Sequence, residues 1–469
     1  MDTVPRYYDS LDFKSLWEQF PTGTEYLKTT YLMSTDEIRV LQNTRFLAQM
    51  MRAWQVPFYQ RHWENAGMLA GDIKSLDDLN LIPPFDVMDL RDAIDRSPPW
   101  GDFVALDLER QNPMPLVLQT SGGTTGLPRA MVYSPMDREV MNINTGRRLY
   151  MQGVRAFDVI QVMLSLGLSN GGFLVREGIW KYSGAVPVMT GSGAQTPTRR
   201  QIEIMQAWKS RHLIGFPAYI RKIGQVMQEE LNIDPKSLGV KSLILHLGVD
   251  DRESLESLWG AKVYDTYGTN ECGSLSAECE YQTGSHVFED SFVLEIKDLQ
   301  NGKDALPGEK GVIYQTTLFK HLAPLIRFNS ADISAWSPGP CACGSQHRRL
   351  QRIFGRSDNM IKLRGTNVFP EAVGAILAEQ KEVNGEYVCI VEDSGENHEE
   401  KMTVKFEIQS SARDVNLIER DFALRLKEAL GVKLLVQAVG VGTLDEVTGL
   451  SSQSKIKRLI DLRKTKALS

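Results

Sequence analysis

Along this chain, apolar residues fall into short runs separated by longer stretches in which they recur at helical spacing. Residues 1 to about 110 carry many long polar side chains and read as mainly helical, with a proline break at 81–85. From about 115 to 355, short β-branched or apolar runs alternate with amphipathic stretches. Candidate strands lie at 115–118, 159–166, 185–189, 213–216, 242–247 and 262–264, and candidate helices at 198–211 and 218–231. Strands alternating with helices predict an α/β fold with mostly parallel sheets. Runs at 291–296 and 311–317 predict a β-rich subdomain. After 355–358 the texture changes. Runs at 387–392, 402–407 and 417–430 predict a small α+β C-terminal domain. The expected division is 1–357 and 358–469. No internal repeat or low-complexity tract interrupts it.

Composition narrows this picture. A chain of 469 residues exceeds the ~250–300 at which single cores stop growing, so more than one domain is expected. Its 42% hydrophobic and 24% charged residues are those of a soluble globular protein. A net charge of −6 argues against a nucleic-acid partner. The basic clusters at 348–349 and 455–458 are short and suit a phosphate site better than a polyanion groove. No stretch approaches the ~18 apolar residues of a membrane span. Residues 1–8 lack the basic and apolar regions of a secretory signal. Five cysteines do not make a disulfide framework. The expected compartment is a reducing cytoplasm, with no membrane partner.

The densest chemical signal comes just after the first candidate strand. Thr120, Ser121, Gly122, Gly123, Thr124, Thr125 and Gly126 are all hydroxyl residues or glycines, and Arg129 stands close behind them. Backbone N–H groups and hydroxyls in such a loop make an anion nest. Glycine lets the backbone approach a ligand. No Gly-Lys-Ser/Thr comes after it, so the loop is not the Walker pattern; a flexible polar turn is the bland alternative. Further along, Tyr267, Gly268, Thr269, Asn270 and Glu271 stand where a strand is expected to end in a glycine turn, at the ligand-binding edge of an α/β sheet. Tyr267 is a candidate for stacking on a base, and Glu271 for holding Mg2+. Asp332, expected just after a strand, is a candidate for ribose hydroxyls. Arg356 is a candidate for ribose or phosphate oxygens, and Lys455, in a Gly/Ser-rich loop, for a phosphate. Taken singly, an aspartate in a loop is usually a turn former, and Lys455 a surface lysine.

Taken in order, these segments resemble the adenylate-forming enzyme superfamily, and within it the phenylacetate–CoA ligase branch. Residues 120–129 are similar to its Thr-Ser-Gly-Thr-Thr-Gly-x-Pro-Lys phosphate loop, with Arg129 in place of the lysine. Residues 267–271 resemble its Tyr-Gly-x-Thr-Glu element, with Asn270 in place of threonine. Asp332 matches the ribose aspartate, 355–358 match the Gly-Arg-x-Asp hinge, and 362–370 resemble the segment C-terminal to that hinge in this branch. Residues 454–458 resemble Gly-Lys-x-x-Arg, with Ser454 for glycine, which places the family's catalytic lysine at Lys455. The resemblance implies an ATP-dependent aromatic acid–CoA ligase that proceeds through an acyl-adenylate, with Mg2+ on Glu271. It implies adenine held by Tyr267 and by Gly248, Val249 and Asp250, and ribose held by Asp332 and Arg356. It implies a C-terminal domain that rotates about Asp358 and exchanges Lys455 for the segment of Arg364 and Gly365, opening a tunnel for coenzyme A. Phe216, Tyr219 and His246 are candidates for a flat apolar acid pocket, each equally suited to the core. A carrier-protein phosphopantetheine is the alternative acceptor. A nucleotide-binding sensor without catalysis is the alternative class. Members of the branch often form homodimers.

Cysteine spacing carries a second signal. Cys341 and Cys343 are two apart and precede Gly344, and upstream Cys279 and His286 flank Gly284. Three sulfurs and one nitrogen would make a closed tetrahedral zinc site of structural type. The same pattern resembles members of the phenylacetate ligase branch. Cys272 is an alternative ligand, and Cys389, in an apolar run, is expected in the core.

Overall fold

The computed structural model describes residues 4–105, 113–120, 128–248, 250–359, 361–363, 366–377, 380, 382–394, 399–409, 414–450 and 456–465. The chain divides into two units, Met1–Met189 with Tyr264–Gln351, and Thr190–Val263 with Arg352–Ser469.

The first unit opens with the expected helices. Thr35–Ala53 starts at a capping box: Ser34 Oγ accepts from the Glu37 N–H, and the Glu37 carboxylate accepts from the Ser34 N–H. Its buried residues, among them Ile38, Gln42, Phe46 and Met50, recur at helical spacing. Pro57–Asn65 carries proline in its first turn, where no helical N–H is lost. It delivers Phe58 and Tyr59 to an aromatic cluster with Phe85, which bridges to Phe328. The proline break thus ties the helical segment to a strand far along the chain. Pro135–Met151 is buried on nearly every side and packs on Asn170–Tyr182. A Cβ on Gly178 would stand 2.5 Å from Thr145, so only glycine permits this approach.

Strands then frame the site. Val117–Thr120 pairs antiparallel with Ala130–Tyr133, Thr120 opposite Ala130. Residues 121–127, which join them, lie outside the described residues. Val159–Val162 and Val186–Met189 pair in parallel through the helix Asn170–Tyr182. Lys262–Thr269, Gly273–Glu278, Ser285–Val287 and Arg349–Leu350 form an antiparallel series. Phe292–Asp298, Gly311–Thr317 and Phe328–Ser334 form a second.

In the second unit, His212–Gly215 and Ser242–Leu245 pair in parallel through the helix Pro217–Glu229. The C-terminal lobe is the expected α+β unit. Val383–Ser394 and Glu399–Ile408 form a hairpin flanked by Leu459–Asp461 and Leu435–Gly440, each added in parallel. Cys389 lies in its core with Val404, Phe406 and Phe422, as expected. No helix among the described residues is long and apolar enough to cross a membrane.

Two elements differ from the pattern-based expectation in ways that matter for the site. The strand expected at 262–264 runs on to Thr269, because Gly273–Glu278 pairs back on it. Gly268 makes that close return possible: a Cβ there would stand 2.5 Å from the Gly273 carbonyl oxygen. Asp332 lies inside Phe328–Ser334 and not after it, next to a register shift and to Ala331 at φ 64°. Pairing across the sheet continues through the polar residues, which period alone does not reveal.

Candidate active site

In the first unit the turn after Lys262–Thr269 is held from three directions. Tyr133 Oη donates to the Asn270 carbonyl at 2.6 Å, and Asn170 Nδ2 donates to the same oxygen at 3.2 Å. Lys320 Nζ donates to the Glu271 carbonyl at 2.9 Å. The backbone of Asn270 and Glu271 is therefore fixed by side chains from three other segments. Arg129, just before Ala130–Tyr133, forms an ion pair with the Glu271 carboxylate. Their side chains are only 3% and 15% exposed, so the pair is shielded from water. Burial pushes the Glu271 carboxyl up, but the Arg129 charge and hydrogen bond, with Lys320 beside them, outweigh it and hold the pKa below the ordinary range. Among the described residues Arg129 Nε is buried without a partner, which leaves this guanidinium unused donor capacity there.

A second network lies behind the turn. Tyr267 Oη donates to Asp332 Oδ2 at 2.7 Å and accepts from Gln315 Nε2 at 2.8 Å. Gln315 Oε1 accepts from the Cys272 thiol at 3.1 Å. Burial raises Tyr267 well above the ordinary phenol range, and the Asp332 charge raises it further. Burial also pushes the Cys272 thiol up to about 12. Thr269 Oγ1 accepts from the Cys272 N–H at 3.2 Å. The structure thus joins Tyr267, Thr269 and Asp332, three residues singled out in the sequence, through one that was not. Gln315 sits in Gly311–Thr317 without any motif around it. Lys320 was missed for the same reason: a lone lysine in a sequence gives no hint that it is buried.

Of the other nucleotide- and acid-site candidates, Thr120 lies in the first unit, and the rest lie in the second unit or outside the described residues. Thr120 ends its strand, its N–H donating to the Leu168 carbonyl at 2.8 Å. Ser121, Gly122, Gly123, Thr124, Thr125, Gly126, Val249, Arg364, Gly365 and Lys455 lie outside the described residues. In the second unit, Gly248 takes φ 56° close to the Ile353 carbonyl, and Asp250 faces Arg221 at 3.5 Å. Arg356 donates from Nε and Nη2 to Asp358 at 2.8 and 2.6 Å, so two residues of the expected hinge segment bind each other. Phe216 precedes the helix Pro217–Glu229, and Tyr219 in its first turn is buried. Gln201 Nε2 donates to Tyr219 Oη at 3.1 Å, and Thr198 Oγ1 lies 3.2 Å from the same oxygen. His246 comes just after Ser242–Leu245 and is exposed.

Cys279, His286, Cys341 and Cys343 come together, with their ligand atoms all within 4.8 Å of one another. Cys279 Sγ is 3.7 Å from Cys341 Sγ, and Cys343 Sγ is 3.4 Å from His286 Nε2. On a tetrahedral zinc, two sulfurs stand ~3.8 Å apart and a sulfur and nitrogen ~3.5 Å apart. The donor set and its spacing therefore fit that ion. Gly344 at φ 87° makes the turn after the pair of cysteines. Tyr31 Oη lies 3.1 Å from Cys343 Sγ and edges the His286 ring. Cys272 is not in this cluster. Its thiol is committed to Gln315, which removes it as an alternative ligand.

Known proteins are similar to this chain in sequence and fold. Residues 365–463 match the model of the AMP-binding enzyme C-terminal domain. The chain is 30% identical to the phenylacetate–coenzyme A ligase of Aromatoleum evansii, over 92% of this chain and 96% of that one. It is 28% identical to the phenylacetate–coenzyme A ligase of Thermus thermophilus, over 92% and 97%. Among solved structures, 2-hydroxyisobutyryl-CoA ligase in its postadenylation state with R3-HIB-AMP superposes with a TM-score of 0.81, at 25% identity, over 93% of this chain and 92% of that one. The same ligase with 2-HIB-AMP and CoA in its thioesterification state gives 0.66, at 25% identity over 94% of each.

Proposed function

The chain belongs to the phenylacetate–coenzyme A ligase family of adenylate-forming enzymes, and on that footing we propose that it joins an aryl or arylacetic acid to coenzyme A, using ATP. The observation that carries this is the turn at Asn270 and Glu271. It places a carboxylate beside fixed cations, at the end of the strand whose Tyr267 binds Asp332.

In the first half-reaction a carboxylate oxygen of the acid attacks the α-phosphorus of ATP. The bond from that phosphorus to the α,β-bridging oxygen breaks, and pyrophosphate leaves. Such a step needs positioning and charge neutralisation more than covalent help. Arg129 supplies positive charge for the outer phosphates beside the loop of residues 120–126. Asp332, oriented by Tyr267, accepts from ribose hydroxyls. Lys455 is assigned to the attacking carboxylate and the α-phosphate. Glu271 would hold Mg2+, which supplies further positive charge to the phosphates when bound.

In the second half-reaction the coenzyme A sulfur attacks the acyl carbon. AMP departs with the anhydride oxygen, and the thiol proton passes to solvent. We assign to residues 358–469 a rotation about Asp358 between the two steps, which exchanges Lys455 for Arg364 and Gly365. Phe216, Tyr219 and His246 are assigned to the acid pocket. The buried Tyr219, pinned by Gln201 and Thr198, supplies it with a rigid flat wall. We also assign a structural zinc to Cys279, His286, Cys341 and Cys343. Four protein ligands leave no open position for water, so its role is to hold the fold.

The test is turnover with a panel of benzoic, phenylacetic and hydroxylated aromatic acids in the presence of ATP and free coenzyme A. The expected outcome is acyl-CoA, AMP and pyrophosphate in equal amounts for at least one acid. Adenylate formed with coenzyme A left unconsumed would point to a carrier-bound thiol. Nucleotide binding without turnover would leave a sensor.

A further inference from the structure

Lys320 is buried, with 3% of its surface exposed, at the centre of the site. Its position is not loose. The next residue, His321, donates its N–H to Asp137 Oδ1 at 2.7 Å, in the first turn of the long buried helix Pro135–Met151. The ammonium lies 5.2 Å from the centre of the Tyr133 ring, and that phenol in turn holds the Asn270 carbonyl.

An ammonium has three N–H donors. Among the described residues, Lys320 Nζ meets one acceptor, the Glu271 carbonyl oxygen. Its neighbour Arg129 also carries a buried donor, Nε, without a partner among those residues. Nor do the charges balance among the described residues. There two cations, Arg129 and Lys320, face the single carboxylate of Glu271, which leaves a surplus positive charge in a shielded pocket. Buried charge of this kind is stable only when paired. If Lys320 served only to pin the turn, a neutral donor to the Glu271 carbonyl would do the same work without that cost. The surplus and the unused donors instead describe a receptor for an anion bearing several oxygens.

We propose that Lys320 is a second phosphate-binding cation, contacting the β,γ-diphosphate end of ATP beside Arg129 and stabilising pyrophosphate as it leaves. It rests on the reading of this turn as the ATP site. The role is electrostatic. When the bond from the α-phosphorus to the bridging oxygen breaks, its electron pair stays on pyrophosphate. The ammonium faces that added negative charge without giving up a proton. A lysine suits the task because it acts as a point charge, with no need for the planar fit of a guanidinium.

Binding separates this role from a structural one, because AMP lacks the two outer phosphates. Titration calorimetry would compare AMP, Mg-pyrophosphate and a non-cleavable ATP analogue on wild type, Lys320→Ala, Lys320→Gln and Lys320→Arg. The glutamine variant keeps a neutral donor toward the turn and guards against loss of fold in the alanine variant. In both neutral variants the analogue and pyrophosphate should weaken about ten- to a hundredfold, as for loss of a charge-assisted hydrogen bond. AMP should hold within about twofold, and Lys320→Arg should recover most of the loss. Equal weakening of AMP and the analogue, or no weakening of either, would overturn the assignment. A wild type that binds AMP and the analogue equally well would overturn it too. A wild type that binds no adenine nucleotide at all would instead remove the underlying ATP-site reading.

Discussion

Tyr267 Oη donates a hydrogen bond of 2.7 Å to Asp332 Oδ2, so the aromatic residue expected at the base and the carboxylate expected at the ribose form one buried unit. Gln315 completes it from the other side of the phenol. Tyr267→Phe leaves both partners buried with an unmade bond, which costs about 1–3 kcal/mol for each group stranded. The expected outcome is a lower melting temperature together with a raised KM for ATP, because Asp332 loses its orienting donor. The KM for the acid should not change. A variant with unaltered stability and unaltered KM for ATP would show that the phenol is free in solution.

Glu271 is the residue whose loss should cost most. Glu271→Gln removes the only carboxylate placed against Arg129 and beside Lys320 among the described residues. Breaking a buried pair by removing one partner destabilises by about 3–5 kcal/mol. Loss of its charge from the phosphate corner should slow adenylation by on the order of a hundredfold. The pH dependence comes from the depressed carboxyl. A lowered folded pKa adds stability that is fully present above the unfolded value of about 4.3 and lost as pH falls through the folded value. The contribution of the pair should therefore be flat from about pH 6 to 8 and decline only in acid. Comparing denaturant midpoints of wild type and Glu271→Gln across pH measures this directly. A gap that closes near neutrality would contradict it.

The Cys279, His286, Cys341 and Cys343 cluster should hold one zinc per chain by elemental analysis. Cys341→Ser or prolonged chelation should lower the melting temperature substantially. At a temperature where the stripped protein is still folded, the KM for ATP should stay close to that of the holoprotein, since the metal is structural. A stripped enzyme with intact stability, or a selective loss of ATP affinity, would remove the structural assignment.

Lys222 Nζ and Asp445 Oδ2 meet at 2.5 Å, tying the helix Pro217–Glu229 to the C-terminal lobe. A lobe that moves between half-reactions makes this pair in only one arrangement. The pair is partly exposed, at 29% and 27%, so its worth is modest. Asp445→Ala is expected to change the rate of one half-reaction by about two- to fivefold and leave the other unaltered. Single-turnover measurements of adenylation, and of transfer from preformed adenylate, separate the two. Equal effects on both steps would count against the movement.

The sequence made some of this legible and hid the rest for definite reasons. The C-terminal strands and Gly311–Thr317 could be read because they are short apolar runs between turn signals. The clustering of Cys279, His286, Cys341 and Cys343 could be read because cysteine spacing constrains chemistry. Strand Lys262–Thr269 was cut short in the pattern because its second half is polar, and a strand buried between neighbours need not alternate. Asp332 read as a loop residue because a bulged strand breaks period. Lys320 and Gln315 left no trace at all. Each is an isolated polar residue whose meaning comes from burial, and burial is set by the tertiary fold.

The most direct test of the central claim is acid-dependent exchange of labelled pyrophosphate into ATP across the aromatic acid panel, run on wild type and on Glu271→Gln. Strong exchange with an aryl or arylacetic acid, absent without acid and reduced by on the order of a hundredfold in the variant, is the predicted result. No exchange with any acid, in protein shown to be folded and zinc-loaded, would contradict it.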